Sequence, residues 1–411
     1  MTETVAPKTR IALYTTNLKG GGAEWCLLVL AGALADRGYH VDLLVDYNKG
    51  DYTSQIPDGV NVYELPKATW IHGTFTLIRA CRGDRIPMLR HLSTSLKGLQ
   101  KSRVFPALRD YVKREAPIAI ICSLGYTPFL SVWAARDTSS GIRVIAREAN
   151  TFSEQLAEEH LPWLRRRRRR QLLQLKSRLY PKMDAIVSVS SGVGDDLAQV
   201  LGLERQTITT IYNPVVSERL HARRAEGVEH PWLAPGEPPI VLAVGRLNPV
   251  KGYTTLISAF ALVRQTIDAK LIILGEGSER STLEDHVQRL NLQSSVDLPG
   301  RARNPFAFMA RSSVFALSSL YEGLPAVLIE AMACQCPVVA TDCPSGPREI
   351  LEDGRLGLLT PVGDTQKLAE SIIQTLRTSP ETESLEHHAA QFSVAASTDA
   401  YEALILGRED I

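Results

Sequence analysis

Cysteine is sparse in this chain, and its spacing follows no redox or zinc pattern. The six residues (26, 81, 122, 334, 336 and 343) include no Cys-x-x-Cys, and Cys334, Cys336 and Cys343 lack a fourth nearby ligand. A disulfide framework and a metal site are therefore not expected, and the six read as small core residues in a reducing cytosol. No Gly-x-Gly-x-x-Gly is present either. Gly20-Gly21-Gly22 lacks the spacing, and Gly275-Glu-Gly277 has Arg280 at the third glycine position, so a dinucleotide cofactor is disfavoured. Residues 116–135 are twenty positions without a charge, long enough to span a membrane. Pro117, Gly125 and Pro128 interrupt them, and they read instead as a strand, a loop and a helix start. Met1–Arg10 is polar and the next apolar stretch is short, so no signal peptide is expected.

The chain does contain enough material for two cores. Its 411 residues are 44% hydrophobic and 22% charged, an ordinary globular balance at two-domain length. The net charge of +1 hides an asymmetry. Residues 1–215 hold 29 Lys and Arg against 20 Asp and Glu, whereas the remainder holds 17 against 25. The halves therefore carry +9 and −8, and the first is the one expected to face an anionic partner such as a phospholipid surface or a lipid diphosphate.

Short β-branched runs alternate with amphipathic helices along both halves. Strands are expected at Arg10–Thr15, Val41–Val45, Val60–Glu64, Ile118–Cys122, Arg143–Arg147 and Ala185–Val189. The rhythm restarts at Ile240–Val244 and continues through Lys270–Leu274, Val296–Leu298, Val314–Leu317 and Val338–Ala340. This is the pattern of α/β domains whose parallel sheets are covered by helices on both faces. Residues 214–239, with five prolines, break it and read as a linker. The expected division is an N-terminal domain over 1–213, the linker over 214–239 and a C-terminal domain over 240–390. Two Rossmann-like halves of this kind hold ligands at the carboxyl ends of their strands.

The most informative stretch is Glu322-Gly-Leu-Pro-Ala-Val-Leu-Ile-Glu330. It sets one carboxylate before a Gly-Leu-Pro turn and another on the helix behind it. A helix N-terminus offers unpaired N–H groups and a positive dipole end to phosphate or sugar oxygens. Carboxylates accept from vicinal hydroxyls, so the combination suggests a nucleotide sugar, although two surface Glu on a solvated helix would give the same pattern. Gly245-Arg-Leu-Asn-Pro-Val-Lys-Gly252 follows a buried strand and places Arg246 and Lys251 where a diphosphate leaving group would need cations.

These segments, taken in order with Leu-Gly-Glu-Gly277 and Pro337-Val-Val-Ala-Thr-Asp-Cys-Pro-Ser-Gly-Pro-Arg-Glu-Ile350, resemble family 4 of the retaining glycosyltransferases, especially members that build cell-surface polysaccharides. The resemblance covers nearly the whole chain and is densest from about 240 to 360. It implies two facing Rossmann-like domains (the GT-B fold), with the donor held mainly by the C-terminal one and a last helix, within about 391–411, returning to the N-terminal domain. It implies that Arg246 and Lys251 grip the donor diphosphate, Glu330 accepts from the ribose and Glu322 lies near the transferred sugar. Gly323 and Leu324 would supply backbone donors, Arg301 would line the base pocket, and Gly21 and Gly22 would close over the phosphates. It further implies a metal-independent site without a cofactor, in keeping with the lack of an Asp-x-Asp, and a donor that is UDP-linked ahead of GDP-linked.

Two departures stand out. Relatives often read Arg-Glu-His-Asn where this chain reads Arg147-Glu-Ala-Asn150, so Ala149 replaces a catalytic or sugar-contacting His and Glu148 is left to orient substrate. Gln335 replaces a small Gly. On the acceptor side, Arg165–Arg170 open a helix on which Leu164, Leu172, Leu175 and Leu179 form a stripe. Arg165, Arg166, Arg169 and Arg170 are expected to meet an anionic membrane or the acceptor, with a merely solvated helix as the competing reading. Nucleic acid is not expected as a partner, because no nucleic-acid motif accompanies the cations. His72, His91 and His160 read as incidental. The expectation is a cytoplasmic, membrane-peripheral transferase acting on the inner face with a lipid-linked saccharide acceptor. A catalytically silent nucleotide-sugar-binding protein and a sugar-nucleotide epimerase are the competing functions.

Overall fold

The computed structural model describes residues 9–19, 21–81, 83–94, 96–123, 125–138, 141–153, 163–378 and 381–408. Gly20 and His160 lie outside them, as do the side chains of His91, Leu164 and Arg165. The chain forms two compact units, one of residues up to Pro214 together with Val394 onward, the other Val215–Ser393.

The first unit is built on a seven-stranded sheet of β1 (Arg10–Thr15), β2 (His40–Val45), β3 (Val60–Glu64), β4 (Ala119–Ser123), β5 (Arg143–Glu148), β6 (Ala185–Ser188) and β7 (Ile208–Thr210). Its spatial order is β3-β2-β1-β4-β5-β6-β7, and every pairing is parallel. The β-branched and leucine runs of β1, β2 and β4 are buried on both faces, which is why they read as continuous apolar segments. The strand order reverses between β1 and β4, so the loops that follow these strands diverge and leave a crevice at their carboxyl ends.

The Val394–Leu406 helix belongs to this unit and packs on the Gly22–Asp36 helix. Its Tyr401, Leu404 and Ile405 complete a core that includes Ile11, Leu13, Leu30 and Val45. At the rim, Arg37 bridges Asp399 and Glu402 at 2.5 Å each. The residues that bind this helix are therefore almost four hundred positions apart, and no local signal announces them.

The second unit repeats the plan with β8 (Ile240–Val244), β9 (Lys270–Leu274), β10 (Val296–Gly300), β11 (Val314–Leu317), β12 (Val338–Thr341) and β13 (Leu358–Thr360). They form a parallel sheet in the order β10-β9-β8-β11-β12-β13. The reversal lies between β8 and β11.

The expectation of a linker over 214–239 is corrected. Residues from Val215 onward belong to the second unit, and Glu218–Arg224 is a helix capped by Ser217. Arg223 donates to the Arg303 carbonyl at 2.6 Å, Arg224 donates to the Ala333 carbonyl at 2.6 Å and pairs with Glu386 at 2.9 Å. The prolines turn this segment without releasing it from the domain. Strands β7 and β13 also escaped the sequence reading, because three residues are too few to show a period.

Replacing Ile405 with Ala is expected to destabilise the first unit by about 2–5 kcal/mol, the usual cost of emptying a filled aliphatic site. Urea unfolding checks this, and an unchanged midpoint would show that the terminal helix is not part of that core.

Candidate functional site

At the β8–β11 reversal, two loops meet backbone to backbone. The first runs from Gly245 to Gly252, with a short turn at Pro249–Lys251 capped by the Asn248 side chain, which accepts from the Lys251 N–H at 3.3 Å. The second runs from Ser318 to Pro325. Leu320 N–H donates to the Val250 carbonyl at 2.8 Å, and the Ser318 hydroxyl donates to the Lys251 carbonyl at 2.7 Å. Gly252 is required here, because its φ is +60° and a Cβ would lie 2.2 Å from the Ser318 carbonyl oxygen.

This junction brings Lys251 and Glu322 together. Lys251 Nζ lies 2.6 Å from Glu322 Oε1, which also accepts from the Ser319 hydroxyl at 2.6 Å. The Ser319 carbonyl is in turn held by the Thr341 hydroxyl at 2.6 Å. Two donors converge on one oxygen of Glu322, and its second oxygen accepts from no described residue. Beneath the pair is the buried Tyr253, whose phenol is pushed above its ordinary value by burial and, second, by the Glu322 carboxylate.

Beyond Glu322 the buried Gly323 and Leu324 lead into the Ala326–Ala333 helix, with Pro325 at its N-cap. The Ser345 hydroxyl, from the loop after β12, donates to the Gly323 carbonyl at 2.7 Å and fixes the turn. Glu330 is on the second turn of this helix and is half-buried. No described residue donates a hydrogen bond or an ion pair to its carboxylate. Burial alone pushes it up to about 7. A half-buried carboxylate that accepts from no protein donor is free to accept from the hydroxyls of a ligand.

Arg246 leaves the end of β8 and is exposed, and Arg301 does the same after β10. Between them the loop after β9 docks against the β8 loop. Leu247 N–H donates to the Glu276 carbonyl at 2.9 Å, and a Cβ on Gly277 would lie 2.1 Å from the Leu247 oxygen. Arg280 ties this corner by contacting Glu276 at 2.7 and 2.8 Å and the Leu298 carbonyl at 3.0 Å. Those bonds, and the charge of Arg301 more weakly, hold the Glu276 carboxyl below its usual range.

In the first unit, Gly21 caps the Gly22–Asp36 helix, and a Cβ there would strike the Glu24 carboxylate at 2.3 Å. Gly22 is exposed with open space around it, and the atoms near Gly21 belong to the flexible end of the Glu24 side chain, so sterics alone demand glycine at neither position. Glu148 is nearly buried at the end of β5 and accepts from Lys176 at 2.6 Å and from the Tyr180 hydroxyl. Both donors come from the region of the Trp163–Leu179 helix, so Glu148 anchors that helix to the sheet. Burial lowers the Lys176 ammonium despite the Glu148 charge. Ala149 is buried beside it.

The leucine stripe of the Trp163–Leu179 helix is used internally. Leu175 and Leu179 are buried in the core and Leu172 packs against it, so this face is not offered to a membrane. Arg166 and Arg170 are exposed, whereas Arg169 is half-buried.

Two family models account for most of the chain: "Glycosyltransferase Family 4" matches residues 20–219 and "Glycosyl transferases group 1" matches residues 228–392. The chain belongs to family 4 of the glycosyltransferases. It is 37% identical over 198 residues to the Campylobacter jejuni N-acetylgalactosamine-N,N'-diacetylbacillosaminyl-diphospho-undecaprenol 4-alpha-N-acetylgalactosaminyltransferase, covering 48% of this chain and 52% of that relative. It is 32% identical over 231 residues to the lipopolysaccharide core biosynthesis glycosyltransferase LpsE of Rhizobium meliloti, covering 55% of this chain and 65% of that one. The matched stretch thus spans about half to two thirds of these relatives' own lengths. The Anabaena protein HepE in complex with UDP superposes with a TM-score of 0.73 at 20% identity, covering 97% of this chain and 100% of that one. The two parallel-sheet units are those of the GT-B fold, as the resemblance implied.

Several groups of this family 4 glycosyltransferase were not singled out by its sequence. Ser319 acts on Glu322 from three residues away, whereas Tyr253 and Ser345 reach Glu322 and Gly323 across longer sequence separations. Arg280 was noticed only as the residue that spoils a glycine fingerprint, although its i,i+4 spacing from Glu276 was a readable signal. Gln335 adopts a φ of +58°, which accounts for the small Gly usual there, and its amide donates to Glu386 at 2.5 Å.

The raised Glu330 carboxyl makes a testable statement about stability. Its protonated form is favoured in the folded state, so its contribution is present below the ordinary value of 4.5 and is lost as pH rises to about 7. The Glu330→Gln variant is expected to be more stable than the parent at pH 8 and to lose that advantage at acid pH. Thermal midpoints of both proteins across this range check it, and parallel curves would show that Glu330 is not held in a desolvated site.

Proposed function

We propose that this protein transfers a sugar, with retention, from a nucleoside diphosphate sugar to a lipid-linked saccharide during cell-surface polysaccharide synthesis. The observation that carries the reading is the Lys251–Glu322 pair at the strand reversal, set beside a helix N-terminus. Lys251 and Arg246 neutralise the diphosphate as it departs, and the helix N-terminus adds its dipole. Glu330 accepts from ribose hydroxyls, and the open oxygen of Glu322 accepts from the transferred sugar. Arg301 lines the base. Gly21 approaches the phosphates, and Glu148 acts through the helix it anchors, as a positioning residue. The donor is UDP-linked, for which the UDP-bound Anabaena structure is support, and the transfer needs neither metal nor cofactor. The diphospho-undecaprenol acceptor in the Campylobacter relative's name supports a lipid-linked acceptor here. No helix among the described residues is long and apolar enough to cross a membrane. The enzyme works from the cytoplasmic face as a peripheral protein, with Arg166 and Arg170 facing anionic lipid.

Ala149 favours a second reading, a nucleotide-sugar-binding protein without turnover, because relatives often carry His there. Nucleoside diphosphate release from a panel of UDP- and GDP-sugars, with and without extracted lipid-linked saccharides, separates the two. Acceptor-dependent release that survives EDTA is expected. Binding of UDP without any release would favour the silent protein, and isomerised sugar without acceptor would indicate an epimerase.

The Glu330→Ala variant is expected to bind UDP more weakly by about 1.5–3 kcal/mol, the worth of hydrogen bonds to a charged acceptor. Calorimetric titration measures this directly, and equal affinity would remove Glu330 from the donor site.

A further inference from the structure

The first unit exposes apolar side chains in one region to an unusual degree. Among the described residues, seven of the twelve exposed large hydrophobic side chains lie between Trp70 and Leu96 or at Trp163. Ile71 and Phe75 are 85% and 66% exposed, one turn apart on the Trp70–Ala80 helix. Ile86 and Leu89 share a face of the Arg85–Thr94 helix, with Ile86 66% exposed. Leu96 opens the Leu96–Ser102 helix at 70% exposure, and Trp163 opens the Trp163–Leu179 helix at 67%. The first three helices pack on one another, and the Arg85–Thr94 helix packs on the Trp163–Leu179 helix, so the helices that carry these side chains form one connected group.

Its charge is one-sided. From Leu65 to Arg109 the chain carries nine Lys and Arg and a single carboxylate, Asp84. Asp84 is 1% exposed and is consumed by Lys182 at 2.7 Å. Arg85 and Arg90 stand exposed beside Ile86 and Leu89, and the Arg103 guanidinium lies over the Trp70 ring at 5.1 Å. Exposed Arg166, Arg167 and Arg170 extend the cations along the neighbouring helix.

We infer that this face docks into the interface of an anionic phospholipid bilayer, with Ile71, Phe75, Ile86 and Leu89 entering the apolar boundary and the arginines meeting lipid phosphates. Large apolar side chains interspersed with cations, with no exposed carboxylate from Leu65 to Arg109, match a surface that is apolar below and anionic above. Aromatic and arginine side chains are suited to the headgroup level between them. A nucleic acid would leave the aliphatic side chains uncovered. The inference deepens the membrane-peripheral reading and moves its centre. Attachment rests on insertion by the helices between Trp70 and Leu96, and the arginine run following Trp163 supplies attraction without an apolar face of its own.

The test uses the full chain and co-sedimentation with vesicles of phosphatidylcholine alone or mixed equally with phosphatidylglycerol. The parent protein is expected to partition onto the mixed vesicles with a blue shift of tryptophan emission. The I71S/F75S/I86S variant, which keeps every charge, is expected to partition roughly tenfold or more weakly. The R166Q/R167Q/R170Q variant should weaken binding mainly at low salt. Because the apolar substitutions are at exposed sites, thermal midpoint and UDP affinity should match the parent, which separates this inference from the donor-site reading. Failure of the parent to bind UDP would contradict the transferase while leaving the vesicle result intact. Equal partitioning of the apolar variant overturns the inference, as does absence of parental binding to the mixed vesicles. A parental dimer that the apolar variant converts to monomer, with vesicle binding unchanged, would assign the face to a second copy of the chain and overturn it also.

Discussion

The ion pair between Lys251 and Glu322 joins the two loops that follow the neighbouring parallel strands β8 and β11. The pair is half-buried, with 20% and 13% of its side chains exposed, so solvent screens it only in part. Removing either member would leave the other partly desolvated and unpaired. Everything else at the site is arranged around the pair. Ser319 fixes one oxygen of Glu322 and Tyr253 supports the loop from below. Ser345 holds the turn from which the Ala326–Ala333 helix starts. The second Glu322 oxygen and the Glu330 carboxylate accept from no described residue.

The two units divide the chemistry by charge. The second, acidic overall, carries Arg246, Lys251 and Arg301 in the loops that follow its strands, near the Glu322 and Glu330 carboxylates of the proposed donor site. The first is basic overall, and its cations gather on surface helices near exposed aliphatic side chains. The proposed anionic donor and the inferred anionic membrane surface would thus be met by different parts of one chain. Glu148 and Lys176 connect these themes within the first unit, because their buried pair fixes the arginine-bearing helix to the end of β5.

Much of the fold was legible because parallel strands buried on both faces read as unbroken apolar runs. Ile240–Val244 and Lys270–Leu274 were evident for that reason. The edge strands Ile208–Thr210 and Leu358–Thr360 were not, being too short to carry a pattern. Proline content over 214–239 suggested a linker, but a proline-rich segment can still dock when its side chains find carbonyls and carboxylates, as Arg223 and Arg224 do. The leucine stripe after Trp163 was readable as a stripe, whereas the surface it covers depends on tertiary packing. At the candidate site, Glu322, Glu330, Arg246 and Lys251 were visible through motif and placement. The Lys251–Glu322 contact was not, because it spans 71 positions. The raised Glu330 carboxyl was also hidden, since desolvation is a property of the folded surroundings.

The most direct measurement is calorimetric titration of UDP into the parent protein and into a Lys251→Ala variant, at low and at moderate salt. The account predicts measurable binding by the parent, weakened by salt, and a loss of most of that affinity and of its salt dependence in the variant. Equal affinity and equal salt dependence in the two proteins would contradict the placement of the donor diphosphate at the β8–β11 reversal.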